Sequence, residues 1–223
     1  MLWPLLFALI GWPIGMVVNG LANALPRRRV LPSWERGALA SLAWIKGFRE
    51  RACVHPRALA VELGVPILWA LAAARYGVST RAGLVALYLT ILVLVTVTDL
   101  EHRRIYDAVM LPAIAMAIVL APVSPWLGGG AWGAWLTGLG AFIFFFLMVL
   151  LTRGGIGGGD ATLAAFIGLI TGFPQGLQAL AYGILLAGGV SLLLLLTRRA
   201  TLTTAIPYGP FLSIGGAVVL LGF

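Results

Sequence analysis

Eight apolar stretches divided by short polar breaks run through the chain, at about Leu2–Leu25, Ala58–Ala74, Ala82–Thr98, Ala108–Pro122, Ala131–Leu151, Ala161–Gly172, Leu177–Leu196 and Pro207–Gly222. Crossing about 30 Å of hydrocarbon takes roughly 20 mostly apolar residues in a helix. The fourth and sixth stretches are short for this and are expected to be tilted, re-entrant or extended into neighbouring turns. Charge is too scarce to build a wetted surface: 10% of the 223 residues are charged and 61% are hydrophobic, where a soluble domain carries about 25% charged residues. The mean hydropathy is +1.03. These values exclude a soluble globular enzyme and a disordered chain, and the single cysteine, Cys53, excludes a disulfide scaffold. The fold class expected is all-α: a polytopic membrane protein of about eight transmembrane helices. The first stretch lacks a basic leader region, so it reads as a retained helix and not a cleaved signal.

The loops set the orientation. With the N-terminus outside, the first, third, fifth and seventh loops collect thirteen of the fifteen Lys and Arg, leaving Arg75 and Arg81 on the other side. Cytoplasmic loops of membrane proteins carry this excess, so both termini are expected outside and those four loops in the cytoplasm. The same rule accounts for the net charge of +8 without a nucleic-acid partner. The one long polar segment, Pro26–Arg57, holds eight basic residues together with Trp34, Trp44 and Phe48, a composition suited to anionic lipid headgroups. The chain is accordingly divided into 1–57, the first helix plus a basic cytoplasmic loop, and 58–223, a transmembrane core. Trp3, Trp12, Trp126, Trp132 and Trp135 are expected to mark the membrane interfaces.

Asp99, Asp107 and Asp160 are the only aspartates. Asp99 ends the run ILVLVTVTD and Asp160 follows GGIGGGD, which places both at cytoplasmic ends of spans. Ionisable groups at membrane depth are costly and usually functional; the plain alternatives are helix punctuation for Asp99 and an N-cap for Asp160. Two carboxylates facing one aqueous side are the minimal kit for aspartyl hydrolysis, because a close pair cannot ionise fully and one member keeps a proton while the other activates water. The pair is therefore expected to titrate as a coupled unit. The glycines before Asp160 would let backbone approach a substrate and take up conformations closed to other residues. Asp107 reads as an N-cap opening the fourth span, and His102 as a solvated loop residue. Cys53 and His55 are too few for zinc, which takes four such ligands, so no metal is expected. A proton-coupled transporter and a non-catalytic scaffold of a pilus or secretion machine are the competing readings; transporter sites sit near the midplane between matched halves, and none are visible here.

Four segments resemble the type IV prepilin peptidases, membrane aspartyl proteases of the GxGD type. GWPIGMVVNGLANALPRR is similar to the family's N-terminal segment, TVTDLEHRRIYDAVMLP to its first aspartate block, GIGGGDATLAAFIGLITGF to its GxGD block, and IPYGPFLSIGG to its C-terminal Ile-Pro-Phe-Gly-Pro-Phe segment. The resemblance implies an endopeptidase of the bacterial inner membrane that removes the basic leader from type IV prepilin or pseudopilin precursors at the cytoplasmic face. It implies Asp99 and Asp160 as catalytic residues, with Gly157, Gly159 and Asp107 in support. It implies no cofactor for cleavage, and S-adenosylmethionine only if N-methylation of the new terminus is retained. Three departures stand out: Cys53 replaces the paired Cys-x-x-Cys motifs of many members, Thr162 stands where a lysine is usual, and Ile105-Tyr106-Asp107 replaces Leu-Pro-Asp.

Overall fold

The computed structural model describes residues 2–27, 56–124, 127, 129–152, 157–198 and 207–222. Cys53, His55 and the aromatic residues of the first loop lie outside these residues, as do Trp126 and Gly154 and Gly155. Among the described residues are eight α-helices: α1 (Trp3–Ala24), α2 (Pro56–Tyr76), α3 (Thr80–His102), α4 (Asp107–Leu120), α5 (Gly130–Leu151), α6 (Gly158–Thr171), α7 (Gln175–Leu196) and α8 (Gly209–Leu220). Each occupies one apolar stretch of the sequence. The protein is an all-α polytopic membrane protein.

Five of these helices, α1, α2, α3, α5 and α7, are long and apolar enough to cross a membrane. Outward residues on these helices are what lipid requires: Trp132 and Leu151 on α5 and Leu185 and Leu196 on α7 are each more than two-thirds exposed. The other three have 14, 14 and 12 residues, or about 21, 21 and 18 Å at 1.5 Å per residue. The shortness of α4 and α6 matches the sequence. That of α8 does not follow from its apolar run, because the helix starts only at Gly209, after Pro207 and Tyr208. The aromatic belt needs one correction: Trp12 sits in the middle of α1, not at its end.

The chain forms two compact units, Met1–Leu94 and Val95–Phe223, with the division inside α3. In the first, α1 and α2 pack along their length. Gly11 and Gly15 make the close approach possible: a Cβ on Gly11 would lie 3.0 Å from Pro66 Cα, and one on Gly15 3.1 Å from Glu62 Cα. Small residues four apart commonly seat membrane helices against each other in this way. A polar ladder continues the seam. The Asn19 side-chain amide donates to the Ala58 carbonyl (2.9 Å) and to Glu62 Oε1 (3.2 Å), and Arg57 donates to Asn23 Oδ1 (3.0 Å). Asn19 and Glu62 are fully buried, so sliding α1 along α2 would break hydrogen bonds where water cannot replace them.

The second unit is built around α6. Eleven of its fourteen residues are buried, and α4, α5, α7 and α8 all pack on it. Two glycine crossings hold these helices at backbone contact. A Cβ on Gly168 would stand 2.8 Å from the Thr137 carbonyl and 2.9 Å from Gly138 Cα, and one on Gly183 2.8 Å from Leu212 Cα. Lipid gives no hydrophobic push between helices, so intimate van der Waals contact must supply the cohesion. Gly168→Ala should therefore force α5 and α6 apart and destabilise the detergent-solubilised protein by about 1–3 kcal/mol. Gly140→Ala, whose added methyl meets nothing within 4 Å, should be neutral or slightly stabilising. Thermal unfolding of the two variants side by side checks this.

Candidate active site

Three helix ends of the second unit carry the site. The last turn of α3 holds Asp99, the first turn of α6 holds Asp160, and α8 begins at Gly209. Asp99 is 6% and Asp160 8% exposed. Each carboxylate is held by one glycine N–H at a helix N-terminus. The Gly209 N–H donates to Asp99 Oδ2 at 3.0 Å, and the Gly157 N–H donates to Asp160 Oδ2 at 3.2 Å. The first N–H groups of a helix have no partner within it and carry the positive end of its dipole, so each anion receives both a donor and a favourable field. The segment leaving Asp99 seats against the segment leading to Asp160, where Gly159 meets Ile105. The structure thus brings the two aspartates together across 61 residues of sequence.

The local backbone explains how each side chain reaches its place. Asp160 is not the N-cap of α6: Gly157 is, and Asp160 is the third helical residue, reaching back to the N-cap N–H. This is the acidic half of a capping box, and glycine has no side chain to complete the other half. After Asp99, α3 closes when the Arg103 N–H donates to the Asp99 carbonyl at 2.8 Å. Arg103 is left-handed, with φ 51°, a conformation that costs a non-glycine residue roughly 1–2 kcal/mol. The loop then passes Ile105 against Gly159, where a Cβ would lie 2.7 Å from Ile105 Cβ. Gly159 therefore lets the segment leading to Asp160 seat on the segment leaving Asp99.

The other residues singled out from sequence fall differently. Gly157 and Gly158 are not sterically required: a Cβ on Gly157 would make ordinary contact, one on Gly158 would meet nothing, and none of residues 157–159 has positive φ. The expectation of unusual glycine conformations there is corrected; only close approach at Gly159 demands the residue. Asp107 is exposed and is the first residue of α4, not its N-cap, which is Tyr106; no side chain caps that helix. Its charge still favours the helix N-terminus. His102 closes α3, exposed beside Glu101 at 3.8 Å, and does not lie in the loop. Thr162 turns its hydroxyl onto the Gly159 carbonyl at 2.8 Å. No group of three or more metal-binding side chains occurs among the described residues.

Gly209 was not singled out as a site residue from the sequence. A Cβ there would lie 2.6 Å from Asp99 Oδ2 and 3.0 Å from its Cγ, so the Asp99 carboxylate occupies the space that any other residue would fill. The signal that could have found it is the Pro-Tyr-Gly-Pro turn before a short apolar helix, since glycine between prolines marks a position where backbone meets something closely. Glu62, an isolated acid inside an apolar stretch, is a second residue passed over.

Residues 86–192 match the profile of the type IV leader peptidase family, a segment that includes Asp99, Asp107 and Asp160 but not Gly209. The chain is similar to the prepilin leader peptidase/N-methyltransferase of Bacillus subtilis, 28% identical over 201 residues, spanning 87% of this chain and 78% of that protein. It is 31% identical over 196 residues to the protein of the same name from Pseudomonas putida, spanning 85% of this chain and 67% of the relative. For that of Aeromonas hydrophila the figures are 32% over 196 residues, 82% and 65%. No solved structure matches the chain. The overall identity, the matched profile and the two aspartates it contains lead to one conclusion: the chain belongs to the type IV leader peptidase family.

Proposed function

We propose that this protein is an aspartyl endopeptidase that removes the basic leader from type IV prepilin or pseudopilin precursors, with Asp99 and Asp160 as its catalytic residues. The observation that carries the reading is the paired environment of the two carboxylates: both buried, each fixed by one glycine N–H, on segments that meet at Gly159 and Ile105. In such a pair one member is an acid and the other a base. The base takes a proton from water as the water oxygen bonds to the scissile carbonyl carbon, and the acid protonates the carbonyl oxygen. Collapse of the tetrahedral intermediate then breaks the C–N bond: the carboxyl that took the water's proton gives it to the leaving nitrogen, and a hydroxyl proton of the intermediate returns to the other carboxylate, which restores the pair. Gly159 and Gly157 support Asp160, one by close packing and one by its N–H. Asp107 supports from the first turn of α4, one helix along from Asp99.

The setting proposed is the bacterial inner membrane, with the carboxylates towards the cytoplasm, where thirteen of the fifteen basic residues collect. Residues 58–223 form the peptidase core, and the basic segment before them meets anionic headgroups; no nucleic acid is involved. Cleavage as written needs no metal. One cysteine and two histidines in the whole chain do not make a zinc site of the usual four ligands. The methyl transfer that appears in the relatives' names would draw on S-adenosylmethionine.

Asp99→Asn and Asp160→Asn should each lower cleavage of a prepilin precursor by at least about a thousandfold, with protein levels in membranes unchanged. Gly209→Ala should lower it by tenfold or more through displacement of Asp99. Wild-type processing by both Asn variants would end the aspartyl reading. Orientation is checked separately: a membrane-impermeant thiol reagent added outside whole cells should label Gly128→Cys and not Arg153→Cys, in a Cys53→Ala background. The reverse pattern would place the site on the other face.

A further inference from the structure

Hydroxyls inside apolar helices satisfy themselves by bonding to a carbonyl three or four residues back, and in the second unit Thr98, Thr137, Thr162, Thr171 and Ser191 all do so, at 2.6–3.1 Å. Ser213 does not. It is 3% exposed, and its Oγ has no hydrogen-bond partner among the described residues, although the Gly209 carbonyl stands in the usual acceptor position. A buried hydroxyl without a partner is costly and calls for an explanation.

Its place supplies one. Ser213 lies four residues after Gly209 on α8, so the two share a face. On that face the Asp99 carboxylate occupies the position of the missing Gly209 Cβ. A helical side chain leans over the turn N-terminal to its own Cα, which for Ser213 is the turn of Gly209. Ser213 thus stands one helical turn, about 6 Å along the axis, from the residue whose N–H holds Asp99. Asp99 Oδ2 is taken by the Gly209 N–H.

We propose that Ser213 is a positioning residue whose hydroxyl, together with Asp99, holds the water that attacks the scissile carbonyl. The assignment rests on the aspartyl peptidase reading above. A water at this point completes the hydroxyl's hydrogen bonding and sits against a carboxylate of the pair. Buried waters of this kind bridge polar groups that the protein leaves unsatisfied. Ser213 touches neither the substrate nor the proton in flight; it fixes where the nucleophile stands.

Purified full-length protein with a prepilin precursor as substrate tests this. Ser213→Ala should lower kcat about tenfold with KM unchanged, as expected for a hydrogen bond that matters in the transition state. Ser213→Cys, which fills the same space but is a weak hydrogen-bonding group, should fall with Ala. Ser213→Thr, which keeps the hydroxyl, should stay within about threefold of wild type. Wild-type kcat in the Cys variant, a change confined to KM, or a Thr variant as slow as Ala would each overturn the proposal in favour of packing. If Ala impairs folding, the contrast between Cys and Thr still decides. Asp99→Asn in the same assay separates the two levels. An active Asp99→Asn would overturn the aspartyl reading and Ser213 with it, whereas an inactive one beside a fully active Ser213→Cys would overturn Ser213 alone.

Discussion

A carboxylate at the edge of hydrocarbon persists only if the protein supplies what water would have supplied, and at Asp99 that supply is the N–H of Gly209, 110 residues away in sequence. The contact is steric as much as electrostatic, because the carboxylate sits where a side chain at 209 would begin. The start of α8 is therefore tied to the end of α3. The same device is repeated at Asp160, whose carboxylate turns back onto the N-terminus of its own helix. Two carboxyl groups, each facing the positive end of a helix dipole, are thereby held in the packed interior with one proton fewer than two.

The short helices follow from this arrangement. At 14 residues α6 covers only about 21 Å; it starts exposed at Gly158 and is buried from Asp160 on. Nearly every one of its side chains is buried, so its neighbours must surround it closely, and glycines at 138, 168 and 176 allow that approach. Rigidity around α6 is what keeps a pair of like charges in register. A loosely packed helix would let them separate and solvate independently, and the chemistry that depends on one shared proton would be lost.

How much of this could be read beforehand depended on range. The eight apolar stretches were legible because lipid imposes its length and polarity on each segment separately, and Asp99 and Asp160 stood out because acids are so scarce. What was not legible is set by contacts distant in sequence. Nothing near Gly159 announces Ile105 as its neighbour, so the glycine run looked uniformly permissive when only one member is crowded. Asp160 read as an N-cap because its role depends on α6 starting two residues earlier, at Gly158. Ser191 and Ser213 both stand among apolar residues in the sequence, yet Ser191 is bonded to its own helix and Ser213 is not. The buried Asn19–Glu62 pair was hidden for the same reason: its partners come from different helices.

The central claim is that Asp99 and Asp160 act as one unit with one proton between them. The pH dependence of kcat/KM for leader cleavage by the wild-type protein tests it most directly, since it reports the ionisations of the free enzyme. A bell-shaped profile is predicted, with activity lost on the acid side as the base is protonated and on the alkaline side as the shared proton leaves. Activity that rises to a plateau and stays there at high pH would contradict the account, because it would mean that no carboxyl proton is needed.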